Sequence, residues 1–234
     1  MNRSYGKILL LIWTLVLLFG TMTPSAGQKR IYTKSFRLQD FKSKTTKVVL
    51  GGSEALNASI RQEVTSYWTI SPYEFCTPSQ YEKQKTNSDI CFLYLEKSRG
   101  IVYLTLSKGG KPDDSNALKR PLQIISIPIS GEQDESGRER VFMPAFISII
   151  QDYVEAAMDS EAAAYGGLKA IARGVPRGVK VYSSDAEAVQ VFSRHSADTA
   201  VQIVITPDGT PSSKPRHKLV FGASDYRLYQ YGKN

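Results

Sequence analysis

The chain has 234 residues, 30 of them basic and 22 acidic, for a formal net charge of +8, and 41% of it is hydrophobic. Ordinary apolar and charged fractions without a repeat exclude a disordered, fibrous or solenoid protein and predict a folded body. Two histidines 22 positions apart and two cysteines, with no C-x-x-C or H-E-x-x-H spacing, exclude a recognisable zinc site.

The first elements read as a secretory signal. Arg3 and Lys7 supply a positive start, Ile8 to Phe19 an apolar stretch, and Gly20 to Gly27 a small and polar exit, with Ser25 and Gly27 placed for cleavage before Gln28. Twelve apolar residues in a helix span about 18 Å, short of the ~30 Å hydrocarbon core, so a cleaved signal over 1–27 is expected rather than a membrane anchor. No cysteine lies near the cleavage point to carry a lipid.

The charge is unevenly placed. After removal of 1–27 the mature chain keeps 28 basic and 22 acidic residues. Lys29, Arg30, Lys34, Arg37, Lys42, Lys44 and Lys47 face only Asp40 within residues 28–47, whereas 48–234 carries 21 of each sign. This predicts a basic N-terminal arm at 28–47 on a neutral body at 48–234. The seven cations are candidates for binding an anionic surface, such as acidic lipid headgroups or a charged polysaccharide. Ile31, Phe36, Leu38 and Phe41 punctuate the arm and offer the alternative of packing onto the body as an extra strand. A nucleic-acid-binding domain carries its basic patch on the fold itself, so nucleic acid is not an expected partner.

Within the body, Lys47 to Leu50 reads as a strand, Gly51-Gly52 as a turn and Ser53 as a helix cap. Leu56, Ile60, Val64, Tyr67 and Trp68 recur on one helical face, which Pro72 ends. A strand at Tyr73 to Cys76, a short helix from Pro78, an apolar strand at Asp89 to Glu96 and its hairpin partner at Ile101 to Leu106 follow. Lys108 to Arg120 is a turn-rich loop, and Leu122 to Ile129 another strand. The polar Ser130 to Arg140 stretch reads as a surface loop open to proteolysis and the best place for a domain boundary. Pro144 opens the longest helix, followed through Ile171 by a second that Gly166-Gly167 weakens. A strand at Val179 to Tyr182, a helix opened by a Ser184/Glu187 capping box, a strand at Ala200 to Thr206 and a hairpin of Lys218 to Phe221 with Tyr226 to Tyr231 complete the reading. The fold class is therefore α/β or α+β, with a mixed sheet, helices packed against it and a C-terminal β-hairpin.

No motif specifies a reaction or a cofactor. Gly51-Gly52-Ser53 stands where a phosphate could meet a helix N-terminus, but it lacks the G-x-G-x-x-G spacing and a Walker lysine, so a turn plus cap is expected and no nucleotide. Parallel strands would hold Cys76 and Cys91 at opposite edges of the sheet, which predicts two buried free thiols. Cys76 or a serine with His195 or His217, oriented by an acid such as Asp198, satisfies the composition of a hydrolase, without a G-x-S-x-G elbow or a cysteine-protease signature. Asp113-Asp114 and the acids of 132–139 lack the calcium-loop pattern. Tyr226, Tyr229 and Tyr231 with Phe221 suggest an aromatic face, and Asn57-Ala58-Ser59 is a glycosylation triplet inside a predicted helix. The reading that results is an exported, non-catalytic module that binds an envelope protein, an anionic lipid or a polysaccharide. A hydrolase using Cys76 or a serine with His195, and a structural subunit that adds its terminal hairpin to a partner sheet, are the alternatives.

Overall fold

A computed structural model describes residues 33–110, 121–210 and 212–234. Residues 33–234 form one compact unit built on two mixed sheets with helices. Within it, the chain runs α1 (Lys34–Leu38), a 3-10 turn (Phe41–Ser43), β1 (Thr45–Val49), α2 (Glu54–Tyr67), β2 (Tyr73–Cys76), α3 (Pro78–Gln84), β3 (Ile90–Ser98), β4 (Ile101–Lys108) and β5 (Leu122–Gly131). It continues through α4 (Arg138–Val141), α5 (Met143–Asp159), α6 (Glu161–Gly166), α7 (Leu168–Ile171), β6 (Lys180–Tyr182), α8 (Asp185–Ser193), β7 (Thr199–Ile205), β8 (His217–Gly222) and β9 (Leu228–Lys233).

The first sheet has strand order β2-β1-β3-β4-β5, with β1 parallel to both its neighbours and the remaining pairs antiparallel. Its two faces are covered differently. Val48, Cys91, Leu93, Leu104, Leu106, Ile125 and Ile127 join Ile60 and Val64 of α2 and the apolar stripe of α5 in the main core. On the other face Val49, Cys76 and Phe92 pack under Tyr81 of α3. The second sheet, β6-β7-β8-β9, closes on the same main core: the Phe221 ring stands edge-on to Phe142, Phe146 and Phe192 at centroid distances of 5.6, 6.1 and 5.8 Å. Such ring pairs add about 0.5–1.5 kcal/mol each beyond simple burial. The sequence pattern pointed to one sheet; the alternation of β7 and β8 fits either arrangement, and only tertiary packing separates them.

The structure carries the body back to Thr33, so the boundary drawn at 47/48 moves. Leu38 and Phe41 are fully buried in the main core, and Thr45 to Lys47 are the first half of β1, the strand between β2 and β3. The predicted loop at 130–140 is also more integrated than its polarity implied. The Arg138 guanidinium, 93% buried, donates to Asp185 Oδ1 (2.6 Å) and to the Val204 carbonyl (2.6 Å) and lies 3.2 Å from Asp134 Oδ2. Polarity reports exposure only while the charges lack partners. Ser184 does precede α8, but its side chain makes no capping bond, so the expected capping box is not formed. The Lys108 to Arg120 loop falls mostly outside the described residues, as do the signal segment 1–27, Lys29 and Arg30.

Candidate functional site

The order β2-β1-β3 makes the end of β1 a topological switch point, where open α/β sheets commonly bind ligands. Here the polar groups of the Gly52 turn are satisfied by the protein's own side chain. Asn57 closes a ring with the turn, its Oδ1 accepting from Gly52 N–H (2.9 Å) and its Nδ2 donating to the Gly52 carbonyl (2.9 Å). Ser53 Oγ accepts from Leu56 N–H as an ordinary N-cap. A Cβ at Gly52 would stand 2.8 Å from Leu95 Cδ1, so the glycine is set by close packing. Gly51-Gly52-Ser53 is thus a turn and cap, as expected. The same ring ties up the amide of Asn57, the acceptor of the glycosylation triplet.

A different cleft, of about 510 Å³, opens between β5, β9, α1, α5 and the Gly166-Gly167 break. At its base the Lys34 ammonium donates to the Ile124 carbonyl (2.8 Å) and Tyr153 Oη (3.2 Å) and sits 5.6 Å from the Tyr153 ring centre. Tyr153 Oη in turn donates to the Ala164 carbonyl (2.6 Å). The Glu161 carboxylate, whose charge acts on Lys34, is engaged by backbone instead, accepting the N–H groups of Lys34 (3.1 Å) and Ser35 (2.8 Å) at the start of α1. No ion pair forms at the Lys34 amine among the described residues. Burial lowers its pKa from the ordinary lysine value, against the raising influence of Glu161. An ammonium has three donors, and two are used here.

The polar groups in the walls of this cleft include Ser126 and Tyr231, set in otherwise apolar strands. Ser126 Oγ shares a 2.7 Å hydrogen bond with Thr105 Oγ1, which donates to Glu96 Oε2 (3.1 Å). Tyr231 Oη bonds His217 Nδ1 (3.1 Å), whose Nε2 meets Tyr103 Oη (3.1 Å). His217 is 1% exposed, and burial, with Lys233 nearby, lowers its pKa to about 4, so it is neutral at pH 7. A neutral imidazole donates from one nitrogen and accepts at the other, so it links one tyrosine as donor and the other as acceptor. In sequence His217 stands between Arg216 and Lys218, neighbours typical of a solvated position, which hides this buried arrangement. The signal was available in the alternation of β8, where position 217 shares the inward face with Leu219 and Phe221. At the rim, Tyr165 is 71% exposed. Gly167 holds φ 60°, ψ −149°, a region open essentially to glycine, which breaks α6 from α7 and lines the cleft with backbone.

The other candidate residues are dispersed. Lys42 pairs with Glu155 (3.5 Å), Lys44 with Asp89 (2.6 Å) and Asp40 (3.5 Å), and Lys47 with Glu74 (3.4 Å), so these three charges are balanced within the fold. Arg37 is exposed on α1. Cys76 and Cys91 are free thiols on opposite faces of the first sheet, with β1 between their strands. Burial raises both thiols, Cys91 to about 12, which suppresses the nucleophilic thiolate. The charged groups that act on the Cys76 thiol are Lys47 and Glu74, whereas His217 bonds Tyr103 and Tyr231 and His195 bonds Tyr226. His195 bonds Tyr226 Oη (2.8 Å) through Nδ1, and among the described residues no serine hydroxyl or carboxylate joins them. The expected aromatic face does not form either: Tyr226 packs on Phe192 and Tyr67, Tyr229 bonds Asp225 and Tyr231 bonds His217. On β9 the carbonyls of Leu228 and Tyr229 already accept from Arg173 and Gly174, which occupies much of the edge a partner strand would need. Among the described residues no group of three or more acidic, His or Cys side chains could hold a metal, and no helix is long and apolar enough to cross a membrane.

The fold and the cleft define an α/β protein with a lysine-bearing, hydroxyl-lined cleft. No protein-family model, no curated protein and no solved structure matches the chain.

Proposed function

We propose that the mature chain is an exported, non-catalytic module that binds an anionic component of the cell envelope, and that the cleft around Lys34 is its binding place. One observation carries the reading. Of the five arm cations among the described residues, Lys42, Lys44 and Lys47 are neutralised by carboxylates, whereas Lys34 keeps an unneutralised ammonium inside a cleft. A half-buried cation is stabilised by an anion that completes its hydrogen bonds, and such charge-assisted bonds are about twice as strong as neutral ones. The cleft volume lies within the usual range for small-ligand sites, ~300–1,000 Å³. Export is supported by the signal-like pattern of residues 1–27.

Two measurements test the proposal. Mass spectrometry of protein recovered from the envelope is expected to give an N-terminus at or near Gln28, and a dominant species retaining Met1 would remove export. Retention of the mature protein on an immobilised anionic polysaccharide is expected to fall with rising salt and to be lost in Lys34→Met. Equal retention of the variant would remove the cleft from the function.

A further inference from the structure

We infer that the anionic group recognised in this cleft is the carboxylate of an acidic sugar, a uronic acid either free or at the end of a polysaccharide. The inference rests on the cleft being the binding place, and it follows from what surrounds the cation. Besides Lys34, the lining offers the hydroxyls of Ser126, Tyr165 and Tyr231 and the Gln123 amide, while the buried Tyr153 hydroxyl is spent on Lys34 and the Ala164 carbonyl. Hydroxyl and amide groups, each able to donate and accept, match the alternating hydroxyls of a sugar ring. Lys34 supplies one remaining donor at the buried end, sufficient for a monoanionic carboxylate. Among the described residues no arginine lines the cleft, and the planar fork suited to phosphate is not among the groups they present there. Lys169, the second lining cation, is exposed at the rim.

Two further features fit the shape of a sugar. Ile124, Ile125 and Leu168 provide apolar wall beside the polar groups, and the exposed Tyr165 ring at the rim offers a flat face for the C–H side of a pyranose. Tyr231 is held in place by His217, so its hydroxyl is fixed before a ligand arrives. Fixed donors lose less entropy on binding than mobile ones. Lys34 carries the charge and Tyr231 the orientation, so their removal has different effects.

The experiment is isothermal titration of the mature protein with D-glucuronic acid, D-glucose, inorganic phosphate and vesicles of phosphatidylglycerol, repeated on Lys34→Met and Tyr231→Phe. Both variants are first checked for wild-type thermal unfolding; should Lys34→Met unfold, Lys34→Arg, which keeps the charge but changes its shape, takes its place and is expected to weaken binding. Glucuronic acid is expected to bind one to one, glucose roughly ten- to a hundredfold more weakly, and Lys34→Met to lose about the same factor. Tyr231→Phe is expected to weaken glucuronic acid, and a tri-uronide titrated alongside those four ligands, alike by a smaller factor. Whichever of those two wild type binds more tightly identifies the source as free acid or polymer end. Equal binding of glucose and glucuronic acid would overturn the inference. Lys34-dependent binding of phosphate or vesicles without glucuronic acid would overturn the sugar class while leaving the cleft as the binding place. Indifference of all four ligands to Lys34 would overturn both.

Discussion

Two places in this molecule look equally suited to a ligand from a distance, the switch-point crevice at the end of β1 and the Lys34 cleft beside β5 and β9. The crevice has glycines, a helix N-terminus and the favoured topology, yet Asn57 has taken the Gly52 donor and acceptor and Leu95 fills the space. The cleft has no recognisable motif, yet it leaves a half-buried ammonium with a donor to spare. What separates them is whether the polar groups are already satisfied from within. A satisfied glycine turn contributes stability, and an unsatisfied cation contributes binding.

The largest effect expected from this comparison is in the support of the cleft. His217 has its pKa lowered to about 4 in the folded protein against an ordinary value near 6.5. Between those values the unfolded chain binds the proton and the folded one does not, so stability falls as pH drops from 6.5 to 4 and levels off below. The shift corresponds to about 3 kcal/mol. Urea unfolding at pH 7 and pH 4 is expected to show a loss of that order that shrinks in His217→Gln; an unchanged pH dependence in the variant would assign the loss to other groups.

Next in size is the crevice. Asn57→Ala removes both bonds to Gly52 and leaves that turn to find other partners, at about 1–3 kcal/mol by the usual cost of stranding polar groups. Chemical denaturation should register this loss while ligand affinity stays at the wild-type value. A variant that lost affinity without losing stability would reverse the roles given to the two places. The smallest effect on stability is expected at Lys34. Lys34→Met keeps the apolar stem and gives up two partly exposed hydrogen bonds, so its unfolding free energy should lie within about 1 kcal/mol of wild type. Stability and binding would thus separate cleanly between Asn57 and Lys34.

The elements that proved readable are those with strong local patterns. Ile60 and Val64 at helical spacing, the apolar run of β3, the Gly-bounded hairpin of β3 and β4 and the proline that opens α5 all lie where the residues placed them. Where the reading failed, the deciding partners were distant in the chain. Lys44, Lys47 and Arg138 look solvated in sequence because their carboxylates come from residues 89, 74 and 185. The cleft was invisible for the same reason, since Lys34, Ser126, Tyr153 and Tyr231 are drawn from four separate elements. Only Ser126, a polar position within the apolar strand β5, left a local trace.

Arg138 has a consequence for how this chain can be divided. It lies at the start of the stretch that leads from the first sheet into the helices, and its side chain grips the beginning of α8 and the backbone of β7. A cut just after Arg138 would separate the guanidinium from both holds and leave Phe142 and Phe146 on one piece without the core side of β5 on the other. The two sheets are therefore not independent modules that a gene fusion could exchange or a protease could release intact. Each sheet supplies one side of a single hydrophobic interior.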